Sequence, residues 1–339
     1  MVDAKTRATV RVIAEDTGVS IATVSRVLNN HDNVAPRTRE LVLEAVERRR
    51  ADARRASGPA RSARGAVYVR CPYVLTDYFG IIVSSIAETL ALHGRRVVLN
   101  AGEAIQSAHV LGALPDDDGI SGALLILPPE PEQELISLRR SGFPFVVVDP
   151  RTLVPRNIAA VSAAHFSGAR ALTAHLVELG HRRIGVIGGP DGWLASDARL
   201  AGHRAAMAEV GVLPAREIVR DVAATAEAGY AAAGELLDLP DRPTALVSFN
   251  DKIAVGALRA ALERGLRVPD DLSITGFDDI DVSRATQPQL TTVRQPLQEM
   301  GRMAVTLLMR LLDGHEGESL HIELATELVV RDSTGPAPS

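Results

Sequence analysis

Residues Val10 to Asn29, VRVIAEDTGVSIATVSRVLN, decide how the start of this 339-residue chain is read. Their spacing predicts two short helices, at about 10–17 and 21–29, joined by a tight turn. Thr9 can cap the first helix. Gly18 permits the turn, because glycine enters left-handed backbone conformations at little cost. Ser20 can cap the second helix, in which Val24, Val27 and Leu28 form an apolar face at i, i+3 and i+4. On the other side Ala22, Ser25, Arg26 and Asn29 fall together, with Ile21 beside them. That face is small, polar and basic, as an element entering the DNA major groove must be. An ordinary amphipathic hairpin is the plainer alternative; the coincidence of turn, caps, core and polar face favours DNA reading.

A third helix is expected over 37–48, with Pro36 at a first-turn position and Leu41, Val42, Ala45 and Val46 facing inward. Arg48 to Arg64 follows, with seven arginines against one acid, and Gly58-Pro59 interrupts any helix crossing it. The charge is unevenly shared. Residues 1–64 hold 13 Lys+Arg against 8 Asp+Glu, whereas the rest holds 24 against 34. A basic head on an acidic body directs nucleic acid to the head alone. One cysteine, Cys71, excludes an internal disulfide framework and fits a reducing, cytoplasmic setting. No apolar run is long enough to span a bilayer, and MVDAKTRATV does not read as an export signal.

From Ala66 onward strand and helix patterns alternate. Strands are predicted at Val67–Arg70, Arg96–Asn100, Ala123–Leu127, Pro144–Val148, Arg183–Ile187, Thr244–Ser248 and Leu272–Gly276. Amphipathic helices are predicted at Gly80–His93, Ser167–Leu179, Ser196–Val210 and Ile253–Arg264. This order builds parallel sheets covered on both faces, and its length calls for two α/β lobes. Ligands bind beyond the carboxyl ends of such strands. Those ends are Cys71–Phe79, Pro128-Pro129, Asp149-Pro150-Arg151, Gly188–Arg199, Phe249-Asn250-Asp251 and Phe277-Asp278-Asp279.

The chain resembles the LacI/GalR family of bacterial transcription regulators. In the head the resemblance rests on Ile13-Ala14, Gly18-Val19-Ser20, Thr23 to Asn29 and Thr38-Arg39-Glu40. In the body it rests on Gly168-Ala169-Arg170, His175-Leu176, Leu179 to Ile184, Asn250-Asp251, Gly265 to Pro269 and Gly276 to Asp279. Leu290 to Val293 with Gln295-Pro296, and Thr326 to Arg331, complete it. The resemblance implies a small all-α helix-turn-helix headpiece and a periplasmic-binding-protein-like α/β core of two doubly wound parallel-sheet lobes. The expected divisions are 1–57 for the headpiece, 58–64 for a basic hinge linker, 65–160 with 293–323 for the N-terminal lobe, and 161–292 with 324–339 for the C-terminal lobe. Strand crossings are implied near Ala160, Val293 and Leu324.

The resemblance implies base-edge contact by Ile21, Ala22 and Arg26, with Thr9, Ser20, Ser25 and Asn29 near phosphates. Arg26 can make two hydrogen bonds to guanine. Family members carry a hinge leucine that wedges into the minor groove. No leucine occurs here between Leu43 and Leu75, so the hinge is expected to bind by charge and to bend DNA less.

For an effector in the cleft, Asp278 and Asn250 resemble family positions that hydrogen-bond sugar hydroxyls, joined by Phe79, Arg199, Gln295 and the lone Trp193. Turn or helix-cap roles remain open for Asp278 and Asn250, a structural ion pair for Arg199, and loop packing for Trp193. Asp197 and Ala164 depart from the arginine and aspartate common in sugar-responsive members. His165, His175, His181 and His203 lack zinc-site spacing, and no catalytic set or phosphate-cradling loop is found. No cofactor and no metal are therefore expected. The expectation is a cytoplasmic, homodimeric regulator, in this family usually a repressor, that binds a pseudo-palindromic operator under control of a sugar-like effector. A solute-binding protein would lack the basic head, and a sugar-processing enzyme would need an acid–base pair.

Overall fold

The computed structural model describes residues 12–28, 34–56, 65–107, 109–213, 215–315 and 321–338. In the head, helix α1 covers residues 12–17, α2 is Ile21–Leu28 and α3 is Pro36–Ala56. Gly18 takes a φ of 67° at the turn. Ser20 caps α2 by accepting from the Thr23 backbone N–H at 3.2 Å. Ile13, Ala14, Val24, Val27, Val42, Ala45 and Val46 form the core. The apolar face is narrower than expected, since Leu28 and Leu41 are both 41% exposed. The buried positions Val24 with Val27, and Val42 with Ala45 and Val46, already close the three-helix contact at helical spacing. Helix α3 also outlasts its expected end. Its Ala- and Arg-rich continuation consists of good helix formers. Thr9, Asn29 and the hinge 58–64 lie outside the described residues.

The body contains two parallel sheets. The first has the order β11-β5-β4-β3-β1-β2, comprising β1 (Ala66–Cys71), β2 (Val97–Ala101), β3 (Ile120–Ile126), β4 (Phe145–Val148), β5 (Ala159–Ala163) and β11 (His321–Leu324). All its pairings are parallel. Helices α4 (Asp77–Leu92) and α11 (Leu297–Leu312) cover one face through Ile82, Ile86, Leu90, Met300, Val305 and Leu308. The turn Leu111–Asp116 and helix α5 (Glu132–Arg140) cover the other. Burial on both faces explains why the inner strands β1, β3 and β4 read as continuous apolar runs.

The second sheet has the order β7-β6-β8-β9, comprising β6 (Ile184–Gly188), β7 (Val219–Asp221), β8 (Ala245–Ser248) and β9 (Ser273–Thr275). Helices α6 (His165–Glu178) and α7 (Leu194–Glu209) pack on one side, and α8 (Ala226–Leu237) and α9 (Asp251–Glu263) on the other. Each helix pair closes on glycine. A Cβ on Gly202 would stand 2.3 Å from the Phe166 carbonyl, and one on Gly256 would stand 2.0 Å from the Ala226 carbonyl.

Three passages link the lobes. The chain leaves the first sheet after β5, which is paired through Ala163 and so straddles the expected division at 160 and 161. Strands β10 (Thr292–Arg294) and β12 (Glu327–Val329) form an antiparallel ribbon between the sheets. The Asp279 carboxylate anchors this ribbon to the second lobe. It accepts from Arg294 at 2.7 Å, from Arg284 at 3.1 Å and from Arg331. Arg294 also reaches Glu327 on the opposite ribbon strand at 2.8 Å. Short helix α10 (Val282–Ala285) supplies Arg284.

Candidate functional site

The carboxyl ends of β1, β4, β6, β8 and β9 bring side chains of both lobes into one cleft. At its floor runs a buried polar chain. Tyr78, in the first turn of α4, donates its hydroxyl to Asp149 at 2.6 Å. Asp149, just past β4, lies 2.8 Å from His165 Nε2, at the start of α6. His165 Nδ1 is 3.2 Å from Arg199 on α7, and Arg199 faces Asp278 at 3.8 Å. Gln295, just past β10, donates to Asp278 at 2.6 Å. Asp149, His165, Arg199, Asp278 and Gln295 are all buried.

Electrostatics divide this chain. Burial pushes the Asp149 carboxyl up, but His165, Tyr78 and Arg199 outweigh it and hold Asp149 below the usual carboxylate range. Burial pushes Asp278 up to about 7 against the pull of Arg199 and Gln295. Burial also drives the Tyr78 hydroxyl well up, and neighbouring Asp149 adds to the effect. Arg199 is lowered by burial and steadied by Asp278 and Asp149. Its guanidinium lies 3.7 Å from the Phe277 ring centroid and 4.3 Å from that of Phe249, and it donates to the Phe249 carbonyl. Such stacking suits guanidinium, which is planar and weakly hydrated.

The cleft wall is aromatic. Phe79 stacks on Tyr73 at 4.5 Å with an interplanar angle of 2°. Trp193 presents its edge to Tyr73 at 6.3 Å and to Phe249 at 6.5 Å. The Arg151 guanidinium sits 5.0 Å from the Trp193 ring. Two hydrogen bonds join the lobes across the rim, Leu194 N–H to the Arg151 carbonyl at 2.8 Å and Lys252 Nζ to Thr76 Oγ1 at 3.1 Å.

The expected effector residues therefore fall at one place, in different settings. Arg199, Asp278 and Gln295 share the floor, and Phe79 and Trp193 share the wall. Asn250 is the N-cap of α9, accepting from Ile253 N–H at 2.9 Å, which is the cap role left open for it. Asp278 and Asp279 take left-handed backbone with φ of 119° and 56°, so a turn role applies to them as well. Trp193 packs against side chains of both lobes. Asp197 is exposed in the first turn of α7, and Ala164 is buried at the start of α6 with no side-chain cap to give. Tyr73, Tyr78, Asp149, Arg151 and His165 join the site without having been singled out as ligand residues. Strand-end position marks Tyr73, Tyr78, Asp149 and Arg151; no sequence signal marks His165 as their partner.

In the head, α2 exposes Ile21, at 53%, together with Ala22 and Arg26, while Ser25 is half-buried. Ser20 is exposed, and its hydroxyl is shared between the helix cap and Thr23 Oγ1 at 2.9 Å. The described part of the expected reading face is thus a continuous surface.

Comparison with known proteins agrees with both halves. Residues 9–49 match the family described as bacterial regulatory proteins, lacI family, and residues 173–334 match a periplasmic binding protein-like domain. The chain is 34% identical to the HTH-type transcriptional repressor CytR of Escherichia coli (strain K12), over 98% of each chain. It is 31% identical to the HTH-type transcriptional regulator CelR of Thermobifida fusca, over 96% of this chain and 98% of that one. Among solved structures, a transcriptional regulator CelR–cellobiose complex superposes with a TM-score of 0.73 at 31% identity, covering 96% of this chain and 99% of that chain. The lac repressor dimer bound to operator and the anti-inducer ONPF gives 0.71 at 27% identity, covering 80% and 94%. The chain belongs to the lacI family of bacterial regulatory proteins. It is a DNA-binding transcriptional regulator and not an enzyme. Among the described residues, no helix is long and apolar enough to cross a membrane.

Proposed function

We propose that this protein represses transcription as a cytoplasmic homodimer, each headpiece laying α2 into the major groove of one half of a pseudo-palindromic operator. Ile21, Ala22 and Arg26 read base edges, while Ser20 and Ser25, with Thr9 and Asn29, hold phosphates. A small polyhydroxylated effector, sugar-like in chemistry, binds between the lobes against Phe79 and Trp193 and hydrogen-bonds Arg199, Asp278, Asn250 and Gln295. The relatives' named cellobiose and operator complexes support this reading. So does the Gln295 Oε1 atom, which is buried and has no partner among the described residues. The lobes are taken as 65–160 with 293–323 and 161–292 with 324–339, and the basic hinge 58–64 binds by charge.

The observation that carries the proposal is the joining of the two lobes by the Tyr78–Asp149–His165–Arg199–Asp278 chain. A ligand inserted there prefers one lobe orientation, and differential affinity for two orientations is what couples effector to operator. Genomic footprinting supplies the operator; mono- and disaccharides are then titrated while the fluorescence of Trp193, the only tryptophan, and operator affinity are followed together. At least one sugar is expected to change both signals over the same concentration range. Operator binding indifferent to every sugar that alters Trp193 emission defeats the coupling.

A further inference from the structure

Behind the cleft, between α6, α7 and the second sheet, lies a small cavity whose lining includes Leu172, Val186, Val247, Arg199, His203 and Ser248. The space open to the centre of a water molecule is about 20 Å³, above the roughly 10–15 Å³ that one water needs. Most of the lining is hydrocarbon. Yet Arg199 Nε, His203 Nε2 and Ser248 Oγ are buried and have no hydrogen-bond partner among the described residues. Their residues are 8%, 1% and 1% exposed.

All three residues line this one cavity. Arg199 and His203 are one turn apart on α7 and share a helix face. Arg199 donates from Nη1 to the carbonyl of Phe249, the residue after Ser248. Of the other polar side chains on the lining, Ser196 donates to the Pro190 carbonyl at 2.9 Å, and Asp221 lies at the exposed edge. Arg199 Nη2 contacts His165, and His203 Nδ1 lies 3.1 Å from Thr173 Oγ1. Three unmade hydrogen bonds facing one apolar-walled space are costly, and groups in this state are usually satisfied by internal solvent.

We propose that one ordered water occupies this cavity and joins Arg199, His203 and Ser248. Arginine Nε can only donate, so the water accepts from it; of its remaining lone pair and two protons, two serve His203 Nε2 and Ser248 Oγ. Burial lowers the His203 imidazole to about 4, so the ring is neutral near pH 7 and places no second cation beside Arg199. The water fixes the Nε edge of a guanidinium whose faces are clamped by Phe249 and Phe277. His203 and Ser248 are thereby positioning residues for the group that faces Asp278.

The test is a high-resolution crystal structure of the full chain, free and after xenon pressurisation. One solvent peak within hydrogen-bond distance of all three atoms is expected, with no xenon there. The His203→Leu, Ser248→Ala double variant removes two of the three polar partners, and the solvent peak is expected to be lost. No solvent peak in the native protein, or xenon bound in it, overturns the site. Positioning is read from the Arg199 Nε–H nuclear magnetic resonance signal. Solvent exchange should quicken about tenfold in Ser248→Ala and return to the native rate in Ser248→Thr. Equal exchange in all three proteins overturns the positioning role.

Discussion

Asp149 and His165 meet at 2.8 Å although one closes a strand of the first sheet and the other opens a helix of the second lobe. Each is buried, and Asp149 also takes the Tyr78 hydroxyl. The pair therefore belongs to the lobe junction and not to either lobe alone. Removing the carboxylate by Asp149→Ala leaves the Tyr78 hydroxyl and His165 Nε2 buried without their partner. The cost expected is about 1–3 kcal/mol, the range for leaving a buried hydrogen-bonding group unsatisfied. A urea titration followed through Trp193 checks this, and a loss below about 1 kcal/mol would assign the pair no more weight than a surface contact.

The Asp278 carboxyl gives a signed pH dependence. Burial raises it to about 7 in the folded protein, whereas the unfolded chain ionises near the ordinary value of about 3.9. Between those values the folded state binds more protons than the unfolded state. Stability from this group thus falls as pH rises from about 4 to about 7 and stays low above that. Asp278→Asn removes the effect. The difference in melting temperature, variant minus native, should climb between pH 5 and pH 8; a flat difference would mean that Arg199 already keeps Asp278 ionised throughout.

How much of this was legible depends on whether a feature is local. The Gly18 turn, the Ser20 cap and the seven expected strands rest on short-range geometry, and the structure places each within a few residues of its expected position. Strand β5, AAVSA, has no run of large β-branched residues. It is a strand because β4 and β11 pair with it on either side, which is tertiary context that a short window lacks. Helix α3 runs to Ala56 because its composition favours helix, although a linker was expected from Arg48. In the cleft, Asp278 and Gln295 sit in stretches that carry the family resemblance, whereas Arg199 was marked only by the strand-end segment Gly188–Arg199. The partnership of Asp149 with His165 was not legible, because the topology, not the spacing, creates it. Asn250 was legible as either ligand or cap, since both uses need the same side chain.

Close helix packing in the second lobe gives a steric prediction. Gly202→Ala would drive a methyl against the backbone of α6, 2.3 Å from the Phe166 carbonyl and 2.9 Å from the Arg170 nitrogen. Backbone cannot rotate away as a side-chain tip can, so α6 and α7 must separate at a cost of about 1–3 kcal/mol. Gly112→Ala is the control, with nothing within 4 Å of its added Cβ and no left-handed φ. It should stay within about 0.5 kcal/mol of native. Paired denaturant titrations decide between packing and a general effect of losing glycine.

Arg26 separates base reading from charge. It is exposed on α2 beside Ile21 and Ala22, where a bidentate contact to guanine discriminates against the wrong base by about 1–3 kcal/mol. A phosphate contact would instead weaken all sequences alike and flatten the salt dependence by about one ion. Arg26→Ala is therefore expected to lose roughly 5- to 150-fold affinity for operator while binding to random duplex changes little. Gel shifts of native and variant protein on both DNAs, over a range of salt, provide the comparison. Equal losses on operator and random DNA would move Arg26 from the bases to the backbone. They would leave Ile21 and Ala22, which offer only apolar contact, to carry the specificity of this helix.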